Sequence, residues 1–269
     1  MLDNLITTVT HITRLSMLDL HEHDLFKAST PNTNNEAAYV LATSSTIFHP
    51  QGGGQPSDTG IMKMQSGEGE DAENQGVVFD VKLVRKLEHA ILHCGFFRPN
   101  SNSATKPVFS VSDSVIQTHD SAKRNLHSRL HTAGHILGLA VRELSNAGTI
   151  PPIEETKANH APNSASCEFR GLIAGEHKDA IQAKVRELVE RDLPVHVYFW
   201  DEERVRAECT SVPDALKGDE NDGVRVVEVE GVGAYPCGGT HVGRTKEVGD
   251  VVVRSIKRQK GTTKVSYDV

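Results

Sequence analysis

The chain has 269 residues, of which 37% are hydrophobic and 24% charged, the balance of a soluble globular protein. Its net charge of -7 disfavours a general nucleic-acid binder, which is usually basic overall, but permits a local basic patch. No apolar run approaches the roughly 20 residues that span a bilayer, and residues 1–4 do not begin a secretory signal. We therefore expect a cytoplasmic protein without a membrane segment. Its four scattered cysteines do not predict a disulfide framework.

The N-terminal region is rich in β-forming residues separated by turn signals. Short segments containing Thr, Val, Ile and Tyr predict strands at 7–16, 37–48, 61–65, 77–84, 89–97 and 108–115. Prolines, asparagines, glycines and polar runs predict breaks or loops at 31–35, 66–76 and 100–106. A rigid turn with three consecutive glycines occupies 48–60. Together these patterns predict a small β-barrel or compact β domain over residues 1–112.

A long helix is predicted over residues 120–148. Leu126, Leu130, Ala133, Leu137, Val141 and Leu144 recur at three- and four-residue steps, as on one buried helix face. Asp120 is suited to cap the start, and Gly148 can end the helix with a positive φ. His131 and His135 lie four residues apart, so their imidazoles project from one face and can reach a single ion.

The remaining chain mixes helix and strand. The predicted elements are a loop at 149–163, strands at 164–170, 194–200 and 224–230, a helix at 176–191, and a hairpin of 250–257 and 262–269. The hairpin would turn at Lys260-Gly261. Residues 113–269 are therefore predicted to form an α+β domain.

A second cluster of metal-ligand residue types occurs at 237–241, with the sequence CGGTH. Cys237 and His241 add a thiolate and a third imidazole to the histidine pair, a combination that suits zinc. Thr132 occupies the place of the glutamate in the protease motif HExxH, which disfavours a zinc protease. Each motif alone has a simpler interpretation, a chance histidine pair or a glycine turn. Four protein ligands would also suit a purely structural ion.

Basic residues gather in two places. Lys123, Arg124 and Arg129 lie near the start of the predicted helix, and Lys257 and Arg258 belong to a basic C-terminal segment. These five residues are predicted to contact a phosphate backbone. Alternatively, the C-terminal charges solvate an exposed hairpin edge.

Together, four sequence features resemble the alanyl-tRNA editing family, the freestanding relatives of the editing domain of alanyl-tRNA synthetase. They are the motifs HTAGH, CGGTH and GGGQPSDTG, and the segment EVGDVVV followed by a terminal hairpin. The resemblance implies a translation-factor-like β-barrel followed by an α+β zinc-containing editing domain. It also implies hydrolysis of alanine tRNA mischarged with serine, or with glycine as a second candidate.

The resemblance further implies which residues form the site. One Zn²⁺ would be held by the ligands His131, His135, Cys237 and His241, which would act through the metal without a separately assigned base. A second implied set, facing the aminoacyl-tRNA cleft, is Gly52, Gly53, Gly54, Gln55 and Asp58. The sequence contains no core for amino-acid activation, so we expect an editor that acts in trans on its tRNA partner.

The sequence departs from the family pattern at His49, where relatives often have tyrosine. Thr149 and Thr156 are candidate hydroxyl donors to a seryl group. Two alternatives stay open, namely editing of Ser-tRNA(Thr) and a non-catalytic RNA-binding module that zinc only stabilises. The GGGQPSDTG motif favours the alanine-specific type.

Overall fold

The computed structural model describes residues 3–26, 38–65, 76–87, 90–98, 108–219 and 222–269. The predicted loops at 31–35 and 100–106, and that at 66–76 except for its last residue, lie outside these ranges. The chain divides into two compact units. The first unit contains Met1–Gln51 and Ser57–Arg124, and the second contains Gly52–Pro56 and Asn125–Val269.

The first unit is a closed barrel of six antiparallel strands in the order β1-β2-β5-β4-β3-β6. Its strands are β1 (Asn4–Arg14), β2 (Tyr39–Thr43), β3 (Gly60–Met64), β4 (Val78–Leu87), β5 (Ala90–Phe97) and β6 (Ser114–His119). A short helix, α1 (Leu20–Asp24), follows β1. Strand β6 pairs with both β1 and β3, which closes the sheet and leaves no free edge. The predicted β-barrel is thereby confirmed.

The last barrel strand begins later than predicted. Residues 108–110 are not in a strand, and a turn with Ser112 at φ 78° precedes β6. The Asp113 carboxylate accepts a hydrogen bond from the Ser110 N–H at 2.6 Å and so supports this turn. By compactness, the first unit runs to Arg124 except for Gly52–Pro56, which belongs to the second unit.

The second unit contains one long helix and two antiparallel sheets. The helices are α2 (Ser121–Asn146), α3 (Lys178–Glu190) and α4 (Glu202–Glu208). The strands are β7 (Glu154–Asn159), β8 (Ser166–Arg170), β9 (Val195–Trp200), β10 (Val224–Val229), β11 (Gly233–Pro236), β12 (Val252–Gln259) and β13 (Thr262–Asp268). The sheet orders are β11-β10-β9 and β12-β13-β8-β7. This arrangement confirms a mixed helix and strand architecture.

Helix α2 forms for the reasons that its sequence predicts. The Asp120 carboxylate accepts a hydrogen bond from the Lys123 N–H at 3.0 Å, and Gly148 has φ 72° just beyond the last turn. The apolar face of α2 packs into a large hydrophobic core that also includes Phe169, Val185 and Tyr267. The closing hairpin turns at Lys260 and Gly261, whose φ values of 48° and 82° fit a two-residue hairpin loop.

Part of the segment predicted as a loop at 149–163 is a strand, so that prediction is wrong. Strand β7 pairs with β8 at the edge of its sheet. Charged and polar residues can occupy an edge strand because much of it faces water. The sequence of β7 therefore lacks the alternation of apolar and polar residues by which we predict strands. Helix α4 was also missed, although Asp201 caps it through the Arg204 N–H at 2.8 Å. Within the described ranges, no helix is both long and apolar enough to cross a membrane.

Candidate metal centre

Four potential metal ligands converge in the second unit. We call them the His3Cys group: His131, His135, Cys237 and His241. Their ligand atoms all lie within 4.8 Å of one another. The Cys237 Sγ lies 3.4 Å from His131 Nε2 and 3.3 Å from His241 Nε2. Bond lengths of about 2.0–2.3 Å in a tetrahedral site place a sulfur roughly 3.6 Å from a nitrogen, so the arrangement can hold one metal ion.

Gln55 orients the first histidine. Its Oε1 accepts a hydrogen bond from the Thr240 N–H at 3.0 Å, which identifies this atom as the acceptor. The same oxygen lies 2.7 Å from His131 Nδ1, which therefore carries the proton. The other nitrogen, Nε2, keeps its lone pair toward the Cys237 sulfur. Such a partner fixes both the tautomer and the ring orientation of a metal-binding histidine.

The 237–241 turn is held to α2 by a similar contact. The Thr132 hydroxyl lies 3.1 Å from His241 Nδ1 and accepts a hydrogen bond from the Val242 N–H at 3.2 Å. Thr132, which replaces the protease glutamate, therefore positions a ligand instead of serving as a base. Within the turn, the Gly239 N–H donates to the Cys237 sulfur at 3.4 Å.

The electrostatics of the group suit a metal more than free side chains. Burial lowers the pKa of His135 to about 3, which keeps its imidazole neutral. Its Nδ1 is buried and has no hydrogen-bond partner among the described residues. Burial also raises the pKa of the Cys237 thiol, although the Gly239 N–H and Arg225 oppose this shift. A bound cation would favour the thiolate and compensate for that burial.

A cavity of about 190 Å³ opens beside the group. Its wall includes Glu155, Thr156, His160 and Tyr235, together with Gly53 from the glycine turn. Sequence reasoning did not identify Glu155, His160 or Tyr235. His160 stacks on His131 with ring centroids 4.1 Å apart, and Nδ1 of His160 lies 2.6 Å from the Tyr267 hydroxyl.

No spacing pattern in the sequence predicts that these three residues belong to the site. Glu155 and His160 belong to the segment predicted as a loop, and Tyr235 lies in the short strand β11 just before the CGGTH turn. Of the two threonines predicted to meet a seryl group, Thr156 lines the cavity. Its hydroxyl donates to the Glu168 carbonyl at 3.1 Å. Thr149 is exposed after α2 and is not part of this wall.

The three glycines of the turn lie in different environments. Gly52 is exposed and Gly53 lines the cavity, whereas a Cβ on Gly54 would collide with the Ala158 carbonyl. The Gly54 carbonyl also accepts a hydrogen bond from the His160 N–H at 2.9 Å. Gly54 is therefore required for close backbone approach within the second unit. Gln55 has no exposed surface, and its side chain contacts His131.

Asp58 and Arg124, both predicted to contact RNA, pair with each other in the structure. Both are buried in the first unit, and Nε of Arg124 lies 2.8 Å from each Asp58 carboxylate oxygen. Nη2 of Arg124 donates to the Ile47 carbonyl at 2.7 Å. Their charges are satisfied inside the barrel unit, where removing one partner would leave the other buried and uncompensated.

The other basic residues differ in accessibility. Lys123 is exposed in the first unit, close to Asp120 at 3.6 Å. In the second unit, Lys257 and Arg258 are exposed on β12. Arg129 is half-buried and donates to the Val248 carbonyl at 2.8 Å. Lys257, Arg258 and Lys123 consequently present charge to solvent, whereas Arg129 is partly used inside the fold.

Fold and site together define a class: a protein with a six-stranded barrel unit and an α+β unit that carries a group of three histidines and one cysteine able to hold a metal ion. Residues 224–265 match the family described as "Threonyl and Alanyl tRNA synthetase second additional domain". This match includes β10, β11 and the CGGTH turn.

The chain is similar over most of its length to alanyl-tRNA editing proteins, which confirms the resemblance seen in its motifs. It is 27% identical over 245 residues to "Alanyl-tRNA editing protein AlaX-M" of Methanosarcina barkeri, covering 90% of this chain and 92% of that protein. A protein of the same name from Saccharolobus solfataricus is 29% identical, covering 87% of this chain and 90% of the relative.

The chain is also 26% identical over 265 residues to "Alanine--tRNA ligase" of Methanosphaera stadtmanae. That similarity covers 96% of this chain and 27% of the ligase. The chain therefore corresponds to about a quarter of that ligase and to nearly all of the two editing proteins named above.

Proposed function

We propose that this protein is a zinc-dependent aminoacyl-tRNA deacylase that hydrolyses Ser-tRNA(Ala), with Gly-tRNA(Ala) as a second substrate. The observation that carries the proposal is the convergence of the His3Cys group beside a cavity. The named relatives connect this site with editing of alanyl-tRNA. We propose action in trans on the tRNA, as the names of these editing proteins suggest.

Zinc is the metal that best fits the donor set. Three imidazoles and one thiolate combine borderline and soft ligands, which zinc accepts in tetrahedral sites. We assign His131, His135, Cys237 and His241 as its ligands. When bound, Zn²⁺ would supply Lewis-acid chemistry and help position the ester for hydrolysis. Full protein coordination also permits a structural ion, so activity has to be measured together with metal content.

The chain itself contributes positioning and hydrogen bonding. Gln55 and Thr132 hold two histidine rings in fixed orientations. The Thr240 N–H already donates to Gln55, and the Gly239 N–H to Cys237. Gly238 lines the cavity, and we assign its N–H to the oxyanion that develops during ester hydrolysis. An aminoacyl ester is sufficiently activated that orientation and such electrostatic help can drive the reaction.

Exposed basic residues would bind the tRNA backbone. In the second unit, Lys257 and Arg258 present two positive charges on β12. We assign them to phosphate contacts, which would make tRNA binding decrease as the salt concentration rises. Lys123 is a further candidate because it is exposed in the first unit.

Deacylation of purified Ser-tRNA(Ala) and Ser-tRNA(Thr) tests the proposal. We expect rapid release of serine from the alanine tRNA, and loss of release in His131→Ala protein that keeps its far-ultraviolet circular dichroism. Comparable folding without activity in that variant supports catalysis at the metal centre. An intact, metal-loaded wild-type protein that releases no serine from either tRNA would falsify the proposed function.

Editing of Ser-tRNA(Thr) is the second candidate because the matched family includes both threonyl and alanyl synthetase domains. The alanine-specific alternative is favoured by the editing proteins that the chain resembles over most of its length. A higher kcat/KM on Ser-tRNA(Thr) than on Ser-tRNA(Ala) would reverse this preference.

A further inference from the structure

Glu155 presents a carboxylate at the cavity beside the metal centre. It lies on β7 where the pairing with β8 shifts register between Glu155 and Lys157. Such a bulge changes the direction of side chains along a strand and often occurs next to a functional site. The Tyr235 hydroxyl donates to Glu155 Oε2 at 2.9 Å. Glu155 and Tyr235 both line the cavity that also contacts His135 and Cys237.

Helix α2 leaves space for this pair. A Cβ on Gly138 would collide with Glu155 Oε2 and with the Tyr235 hydroxyl oxygen. Tyr235 also packs against His135, with ring centroids 4.5 Å apart. The pair is therefore built into the wall of the site and is not an exposed charge on a strand edge.

Among the residues that the structure describes, Glu155 forms no salt bridge. Burial raises the pKa of Glu155 to about 7, while hydrogen bonds with Tyr235 and Cys167 act in the opposite direction. No lysine, arginine or histidine contributes to that balance among the described residues. A buried carboxylate is stabilised in its charged form when a cation binds close to it. The site consequently favours a ligand that brings its own positive charge.

An aminoacyl ester carries such a charge next to its reacting carbon, on the α-ammonium group. We propose that Glu155, held by Tyr235, binds the α-ammonium group of the aminoacyl ester and thereby orients the ester in the cavity. This inference rests on the proposed deacylase function. It assigns Glu155 as a substrate-binding residue and Tyr235 as a positioning residue.

Two esters that differ only at this group test the inference. Alanine tRNA is charged with serine or with glyceric acid, in which a neutral α-hydroxyl replaces the ammonium group. For each ester, kcat/KM is divided by its spontaneous hydrolysis rate, which removes the difference in intrinsic reactivity. Because hydrogen bonds to charged groups contribute about 1.5–3 kcal/mol, we expect the wild type to prefer the seryl ester by about 10- to 100-fold.

Glu155→Gln keeps the size of the side chain and removes its charge. We expect this variant to lose most of the preference, mainly through a higher KM for the seryl ester, so that kcat/KM falls much more on the seryl ester than on the glyceryl ester. Tyr235→Phe should raise the same KM by a smaller factor without changing kcat. Glu154→Gln is the matched control, because Glu154 is exposed and pairs with Arg170 at 2.7 Å.

The outcomes separate the inference from the proposed function. If the wild type has the same normalised kcat/KM on the two esters, the proposed ammonium binding is overturned. This result needs no variant protein. An equal loss on both esters in Glu155→Gln protein of unchanged metal content would also overturn it, since the residue would then act on folding or on the reaction in general. A wild-type protein that hydrolyses neither ester contradicts the proposed function and removes the inference with it.

Discussion

A buried histidine in each unit shows the difference between a structural and a ligand-type imidazole. In the barrel, His93 has Nε2 2.8 Å from the Thr46 hydroxyl and Nδ1 3.1 Å from the Leu41 carbonyl. In the second unit, Nδ1 of His135 is buried without a hydrogen-bond partner among the described residues. Burial lowers the pKa of His93 to about 4 and that of His135 to about 3. Low pKa alone therefore does not distinguish the two roles.

An unsatisfied nitrogen is also insufficient by itself. Both ring nitrogens of His119 in the barrel are buried without hydrogen-bond partners in the described part of the chain. His119 belongs to no group of potential metal ligands found among those residues, whereas His135 lies in the His3Cys group. The candidate metal centre is identified by the convergence of several donor atoms. Burial of one histidine, or one ring nitrogen without a hydrogen-bond partner, does not identify it.

The largest expected effect breaks this convergence at its sulfur. Cys237→Ala removes the one thiolate of the group, so we expect loss of bound zinc and a decrease in deacylation of at least about 100-fold, since even outer-shell changes cost 10- to 100-fold. Metal content by mass spectrometry and serine release by the same sample measure both effects.

Cys209→Ala is the matched control. Cys209 is half-buried and packs against the cluster formed by Trp200 and Val205, outside the His3Cys group. We expect unchanged zinc content and activity in this variant. Retention of full zinc content and full activity by Cys237→Ala would contradict our assignment of the metal centre.

The next largest effect concerns the pH dependence of barrel stability. The folded pKa of His93 lies below the ordinary value of 6.5, at about 4. The contribution of neutral His93 to the free energy of unfolding is therefore fully present above pH 6.5. It is lost as the pH falls toward 4, because the histidine takes up its proton in the unfolded chain before it does so in the folded protein. The two values correspond to a stability difference on the order of 3 kcal/mol.

Urea unfolding of wild type and His93→Gln protein between pH 7 and pH 4 measures this dependence. We expect the wild type to lose the additional stability over this interval and the variant to lack that component. Parallel curves for the two proteins would show that the satisfied histidine does not control acid unfolding.

A smaller effect is expected from the two buried glutamines. Gln55→Met removes the partner of His131 and should lower zinc affinity by about 10- to 100-fold. Gln117 is equally buried in the barrel, where its Oε1 accepts from the Ile47 N–H at 3.0 Å and the Thr46 hydroxyl at 2.9 Å. Gln117→Met should instead cost about 1–3 kcal/mol of stability, because it leaves buried partners unsatisfied.

Zinc titration and urea unfolding of both glutamine variants measure these losses. The expected pattern is reciprocal, with lower zinc affinity in Gln55→Met and lower stability of the metal-free protein in Gln117→Met. Equal zinc affinity in the two variants would mean that Gln55 has no special influence on His131.

Local patterns predicted the parts of the fold whose residues interact with near neighbours. The apolar spacing along α2 and its Asp120 cap indicated the helix, and Lys260-Gly261 indicated the final turn. The motifs also identified the four residues of the His3Cys group before their contacts were visible. By contrast, β7 lacked the apolar alternation of a strand because it is polar and lies at a sheet edge.

The sequence by itself determined the helix that carries two imidazoles, the glycine-containing turn that carries a thiolate and a third imidazole, and the β-rich character of the barrel. Tertiary structure decided that Gln55 orients His131, that Asp58 and Arg124 satisfy each other, and that Glu155 reaches the cavity. The physical reason is the range of the interactions. Helix periodicity and turn geometry depend on residues a few positions apart, whereas these contacts join side chains whose burial and partners exist only after folding.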